Sequence, residues 1–112
     1  MTDYEFGDVV LITFPFTNQT TDKRRPAVVV SSTAYHRNRP DLILMAITSR
    51  IRPSPSFGET IVDQWETAGL IKPSVIKPIF ATVEKDIVIR KLGKLADHDQ
   101  QSLRKSILAI LG

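Results

Sequence analysis

Two short stretches place cations beside hydroxyls where strand-like runs meet polar loops: Lys23-Arg24-Arg25-Pro26 and Ile47-Thr48-Ser49-Arg50. A guanidinium presents a planar fork of donors that fits two oxygens of a phosphate, and a threonine or serine hydroxyl adds a neutral donor at close range. Such a set can bind a phosphate and stabilise negative charge that grows on it. The same residues also suit a solvated surface arginine near a threonine whose hydroxyl is satisfied locally, so local pattern alone leaves both readings open. Other chemistries are closed off. With no cysteine there is no thiolate nucleophile, disulfide or Cys-based zinc site. His36 and His98 stand far apart in sequence and in neither an H-x-x-x-H nor an H-x-x-E-H pattern, so each is expected to be structural or solvent-facing, with no metal and no cofactor.

The charge distribution favours an anionic partner. Residues 1–17 carry Asp3, Glu5 and Asp8 with no base, whereas residues 18–52 carry Lys23, Arg24, Arg25, Arg37, Arg39, Arg50 and Arg52 against Asp22 and Asp41, a local net charge of +5. The whole chain is only +3. Concentrated positive charge beside turn residues is what a nucleic-acid backbone attracts, although solubility alone can also account for loop arginines. A length of 112 residues with 42% hydrophobic and 24% charged residues fits one domain, 1–112, with a filled core. No run approaches the ~18 apolar residues of a membrane span, and Met1-Thr-Asp-Tyr-Glu-Phe6 lacks the layout of a signal peptide; a soluble, cytoplasmic protein with no membrane partner is expected.

The elements that must position these residues are mostly short strands. Val9 to Phe14 reads as a first strand stopped by Pro15, Thr17 to Arg25 as a polar loop, Pro26 to Ser32 as a second strand, and Leu42 to Thr48 as a third. Thr33 to Asp41 is expected to be a polar connection, and Arg50 to Gly58, with Pro53 and Pro55, a mobile loop. Glu59 to Val62 suggests a short strand. Asp63 to Leu70 suggests one or two helical turns started by Asp63 and ended by Gly69, with Trp65 filling the core. Val75 to Val83 is strand-like but interrupted by Pro78, which confines it to an edge or a bulge, and Ile87 to Leu92 is a further strand with a bend at Gly93. Asp97 can cap a closing helix in which Leu103, Ile107, Leu108 and Leu111 recur on one face. Strands two and three are apolar on both faces, and a short chain hides both faces by curling the sheet. The expectation is therefore mainly β with a C-terminal helix, an SH3-like barrel, with an OB-fold as the alternative. If strands two and three pair antiparallel, Arg25 and Thr48 face one another at one end of that barrel.

In their order and spacing, Gly7-Asp8-Val9-Val10 with Phe14-Pro15, Arg24-Arg25-Pro26-Ala27-Val28-Val29-Val30-Ser31, Ala46-Ile47-Thr48-Ser49 and Gly69-Leu-Ile-Lys-Pro-Ser-Val-Ile76 resemble the MazF/PemK family of toxins from bacterial type II toxin–antitoxin modules. The resemblance spans nearly the whole chain. It implies an SH3-like barrel of the CcdB/PemK type, usually a homodimer, and a metal-independent endoribonuclease selective for short sequences in single-stranded RNA. Carried over by position, the family's Arg before the strand-two proline falls on Arg25 and its Thr ending strand three on Thr48, the catalytic pair. Gln19, Lys23, Arg24, Ser49, Arg50 and Arg52 are the expected RNA-binding residues. Some relatives carry a Glu in the loop between strands one and two, where this chain has only Asp22 as an acid. The resemblance further implies an acidic, partly disordered antitoxin, with operator DNA bound only through the antitoxin complex. A toxin that poisons a protein such as gyrase is the alternative on the same barrel. Those toxins resemble one another in a Trp-Gly-Ile tail, where this chain has Ala109-Ile-Leu-Gly112. A noncatalytic nucleic-acid-binding barrel is the third.

Overall fold

A computed structural model describes residues 3–13 and 24–112. Six strands, β1 (Asp8–Thr13), β2 (Arg24–Val29), β3 (Asp41–Thr48), β4 (Thr60–Val62), β5 (Ser74–Glu84) and β6 (Val88–Lys94), form one antiparallel sheet in the order β4-β5-β3-β2-β1-β6. A short helix, α1 (Thr33–Asn38), joins β2 to β3, and a long one, α2 (Asp97–Leu111), closes the described chain. Neither helix is long and apolar enough to cross a membrane.

Alternation along the central strands sends Val9, Val28 and Met45 to one face and Val10, Ala27, Val29 and Leu44 to the other, and all are buried. The first face is closed by α2 through Leu103, Ile107 and Ile110 and by the turn after β4 through Ala68 and Leu70, with Trp65 packed against it as a core filler. The second contains no α2 residue; Tyr4, Ile87 and the sheet's own curl close it. Two glycines record how far the sheet curls. Gly69 has φ +82°, and a Cβ there would sit 2.1 Å from the Leu92 carbonyl oxygen; a Cβ on Gly93 would sit 2.6 Å from that of Ala68. The turn after one outer strand thus rests on the backbone of the other outer strand, a half-barrel rather than a flat sheet.

The local elements depart from the sequence expectations in five places. Thr33 to Asn38 is a helix, because Ser32 accepts the Tyr35 N–H at 3.1 Å and so caps its first turn. Asp63 to Gly69 forms successive turns rather than a helix, and Asp63 is not its cap: the backbone N–H groups of Asp63 and Gln64 donate to the buried Asp99 carboxylate at 3.0 and 2.9 Å. β6 runs past Leu92 through Gly93 to Lys94, and the bend expected at Gly93 takes the form of a bulge, the β1–β6 register stepping from Val9 opposite Gly93 to Val10 opposite Lys91; the glycine also permits the close approach. Ala96, not Asp97, is the N-cap position of α2. Leu108 and Leu111 face solvent, and the inward stripe is Leu103, Ile107 and Ile110. Pro78 does mark a bulge: the β3–β5 register steps from Met45 opposite Phe80 to Ile47 opposite Ile76, leaving Lys77, Pro78 and Ile79 against Ala46. β5 nevertheless lies inside the sheet, since Ser74 to Ile76 also pair with β4.

Candidate functional site

Arg25 enters β2 paired with Ile12 of β1, and Pro26 beside it lacks the N–H that an interior ladder position would need. On its other side β2 pairs with β3 as Ala27 opposite Ala46, Val28 opposite Met45 and Val29 opposite Leu44. Extending that register by two residues puts Arg25 across from Thr48, the last residue of β3, as antiparallel pairing predicts. The Thr48 Oγ1 accepts the Arg50 N–H at 3.2 Å, a hydroxyl turn that bends the chain off the sheet and leaves the Thr48 O–H free to donate.

The pair forms a ridge between two concavities. One, about 900 Å³, is lined by Arg25, by Ala46 through Arg52, and by Lys77 and Ile79 from the β5 bulge. The other, about 250 Å³, shares Arg25, Ile47, Thr48, Ser49 and Arg50 and adds Arg24, Pro26, Leu70, Ile71, Lys72 and Ser74. Among the described residues, no carboxylate forms a salt bridge with Arg24, Arg25, Arg50 or Arg52. Lys77 is different, because Glu59 holds it at 2.7 Å. That ion pair, followed by the Ser56 N–H at 2.9 Å, keeps the Glu59 carboxyl below the usual carboxylate range. The loop from Arg50 to Gly58 is anchored at its far end by the same Ser56–Glu59 contact.

The structure brings Arg25, Thr48, Ser49, Arg50 and Arg52 to the larger concavity and Arg24 to the smaller. Gln19 and Lys23 lie outside the described residues, as does Asp22. Among the lining residues not anticipated as site residues are Ile71, Lys72, Lys77 and Ile79. A usable signal was present, because a cation directly precedes proline at Arg25, Arg39, Arg52, Lys72 and Lys77, and all but Arg39 line these two concavities. A residue before proline is held extended, which projects its side chain from a fixed backbone.

Neither histidine lines either concavity. His36 Nδ1 donates to the Tyr4 carbonyl at 2.8 Å, and its Nε2 meets Ser31 Oγ at 2.5 Å, which in turn accepts the Ile43 N–H. It pins the N-terminal segment to the start of α1. His98 sits 3.1 Å from Asp63 and, with Asp99, makes the one cluster of metal-type ligands among the described residues. Asp99 already spends both oxygens on backbone N–H groups, which fits a capping carboxylate better than a metal ligand.

The same architecture occurs in known proteins. An endoribonuclease solved with its cognate antitoxin from a mycobacterial species is 17% identical with a TM-score of 0.75, covering 100% of this chain and 96% of that one. MazF from Deinococcus radiodurans is 18% identical at a TM-score of 0.76, covering 100% and 99%. The Mycobacterium tuberculosis toxin MazF-mt6 is 21% identical at 0.71, covering 89% and 91%. At these identities the likeness establishes the fold. No curated protein sequence matches the chain significantly. The model of the PemK-like, MazF-like toxin of type II toxin–antitoxin systems matches residues 5–111, and the chain belongs to that family.

Proposed function

We propose that this toxin is an endoribonuclease that cuts single-stranded RNA at the Arg25–Thr48 ridge. The observation that carries the reading is the ridge itself: a guanidinium and a hydroxyl in register across β2 and β3, beside cations with no carboxylate partner among the described residues. In the reaction the ribose 2′-OH attacks its adjacent phosphorus, the P–O5′ bond breaks, and the products carry a 2′,3′-cyclic phosphate and a 5′-OH. Arg25 neutralises the charge that builds on the phosphorane oxygens and can donate toward the leaving O5′. Thr48 positions a phosphate oxygen through its O–H. Arg25 is not the base, since a guanidinium offers donors and no acceptor lone pair. The described lining side chains include no carboxylate or imidazole, so none of them is assigned the 2′-OH proton; Asp22, before β2 in sequence, and solvent water are candidates for it. Arg24, Arg50 and Arg52 follow the backbone, and Gln19, Lys23 and Ser49 complete the RNA contacts. Unpaired bases can splay into the concavities, which a duplex cannot do.

A homodimer is supported by Leu108 and Leu111, left exposed on α2; light scattering at micromolar concentration should give twice the protomer mass. An acidic antitoxin segment is expected to occupy the same cationic groove and compete with RNA. The test of the function is direct. Purified protein should cut single-stranded RNA in excess EDTA, leave the cyclic phosphate, and spare duplex RNA and DNA. Activity abolished by EDTA and restored by magnesium would overturn the mechanism.

A further inference from the structure

RNA cut at the ridge must continue on both sides of it, and the two sides are built differently. Beyond Arg25, on the side away from Arg52, the chain from Leu70 to Ser74 forms one wall of the 250 Å³ concavity. That wall is fixed at both ends. Leu70 is in the core, Ser74 is buried and its hydroxyl donates to the Lys72 carbonyl at 2.9 Å, and Pro73 restricts the backbone between them. Between these anchors Ile71 is 88% exposed, the most exposed large apolar side chain among the described residues, and Lys72 beside it has no salt-bridge partner among them. A β-branched apolar side chain held in solvent by a rigid turn, next to a cation and the ridge arginine, contributes nothing to the core. It does suit one flanking nucleotide of a nucleic-acid strand, with an apolar surface for the base and an ammonium for its phosphate.

Resting on the nuclease reading, we propose that Ile71 and Lys72 form the subsite for the nucleotide immediately across the scissile phosphate from the larger concavity. Ile71 packs against its base and Lys72 holds its phosphate. The subsite extends the cation track from Arg50 and Arg52 over Arg25 and past the cut. The base bound there is gripped through its apolar face, so the subsite sets affinity and register more than base identity.

The experiment uses the full chain and an oligoribonucleotide spanning a cut site mapped by digesting a long RNA, alongside two versions made abasic at the nucleotide on either side of the cut. Ile71→Ala should raise KM about 5- to 10-fold on the intact oligonucleotide with kcat nearly unchanged. On one of the two abasic substrates it should have no further effect, because the base it would have packed against is gone. Lys72→Gln should raise KM on all three and lower the slope of log KM against log salt by about 0.7. Circular dichroism of both variants should match the parent, since both residues are at the surface. Equal losses from Ile71→Ala on all three substrates, or no loss on any, would overturn the subsite while leaving the nuclease reading intact. A parent protein that cuts no RNA would overturn both.

Discussion

At the β1–β6 edge of the sheet the two lysines of β6 each have an acid. Lys91 lies 3.2 Å from the buried Asp8, Lys94 bonds Glu5, and Arg104 of α2 stacks 3.8 Å from the Phe6 ring centre. At the end where β2 begins and β3 stops, Arg24, Arg25, Arg50 and Arg52 have no carboxylate partner among the described residues, and the one paired cation there, Lys77, is held by Glu59. Lys91, Lys94 and Arg104 are absorbed in joining the N-terminal segment to β6 and α2. The arginines at the second end have no such use among the described residues. The density of basic residues therefore does not mark a site by itself; the distribution of the acids around them does. Arginine predominates at the unpaired end, where its fork can meet two phosphate oxygens, whereas both acid pairs of the β1–β6 edge are made by lysine, for which a point charge suffices.

The contrast breaks most visibly at Arg25. Arg25→Ala should lower the rate of RNA cleavage at least ~100-fold, from the loss of one positioned donor at the phosphorane. Arg25→Lys should recover little, because an ammonium cannot reproduce the fork. Lys91→Gln, at the paired edge, should leave cleavage within about 2-fold, as expected of a surface change remote from substrate. Comparable losses from Arg25→Ala and Lys91→Gln in single-turnover assays would mean that general charge, and not position, drives the reaction.

Asp99 tests whether a paired acid can be purely structural. Its two oxygens accept the N–H groups of Asp63 and Gln64, and it is fully buried. Asp99→Ala strands both donors and should cost about 2 kcal/mol, read as a lower urea midpoint, while cleavage well below the midpoint persists. Zinc or magnesium should not raise the parent's melting temperature; a clear rise would make the Asp63–His98–Asp99 cluster a metal site. His36 belongs to the same class, and substituting it should leave the cleavage rate within a few-fold of the parent.

The Arg25–Thr48 juxtaposition was legible in the sequence because it needs only two apolar strands, an antiparallel pairing and a loop between them. Both-face burial of the central strands likewise announced a curled sheet. What was not legible depends on that curl. Ile71 and Lys72 reach the ridge because the turn after β4 is carried round to it; the Lys72-Pro73 pair marks a projected cation, but only Gly69 and Gly93 hint at where it is carried. α1 is six residues long with none buried, so it has no apolar period to read, and its one signal is the Ser32 cap. The inward face of α2 was read correctly at Leu103 and Ile107 and wrongly at Leu108 and Leu111, since Leu108 and Ile110 are equally apolar in sequence and only packing against the core separates them. Asp99 stands in the first turn of α2, and nothing beside it in sequence points to its partners, a turn some thirty-five residues away.

A smaller effect than Arg25 is expected at Thr48, whose proposed contact with the phosphate is a neutral hydrogen bond: Thr48→Ala should slow cleavage about 10-fold. The variant also loses the acceptor for the Arg50 N–H, so Arg50 becomes less fixed and KM rises along with the fall in kcat. A change confined to KM would assign Thr48 to binding alone.

The smallest and most discriminating change moves one cation from the paired class to the unpaired. Glu59→Gln keeps an oxygen for the Ser56 N–H but removes the charge that holds Lys77 at 2.7 Å. Lys77 lines the larger concavity, so once released it should add one phosphate contact. KM for RNA should then fall a few-fold, and the slope of log KM against log salt should steepen by about 0.7. Stability should move the other way, with a sign set by the carboxyl. Because the ion pair lowers the pKa of Glu59, its contribution is fully present above the ordinary carboxylate pKa of about 4.3 and is lost as pH falls through the lower folded-state value. The parent should therefore have the higher urea midpoint at pH 7, and the two proteins should converge as the medium becomes more acidic than the ordinary carboxylate range. An unchanged salt slope in Glu59→Gln would place Lys77 beyond the reach of the RNA and confine the unpaired cation track to the arginines and Lys72.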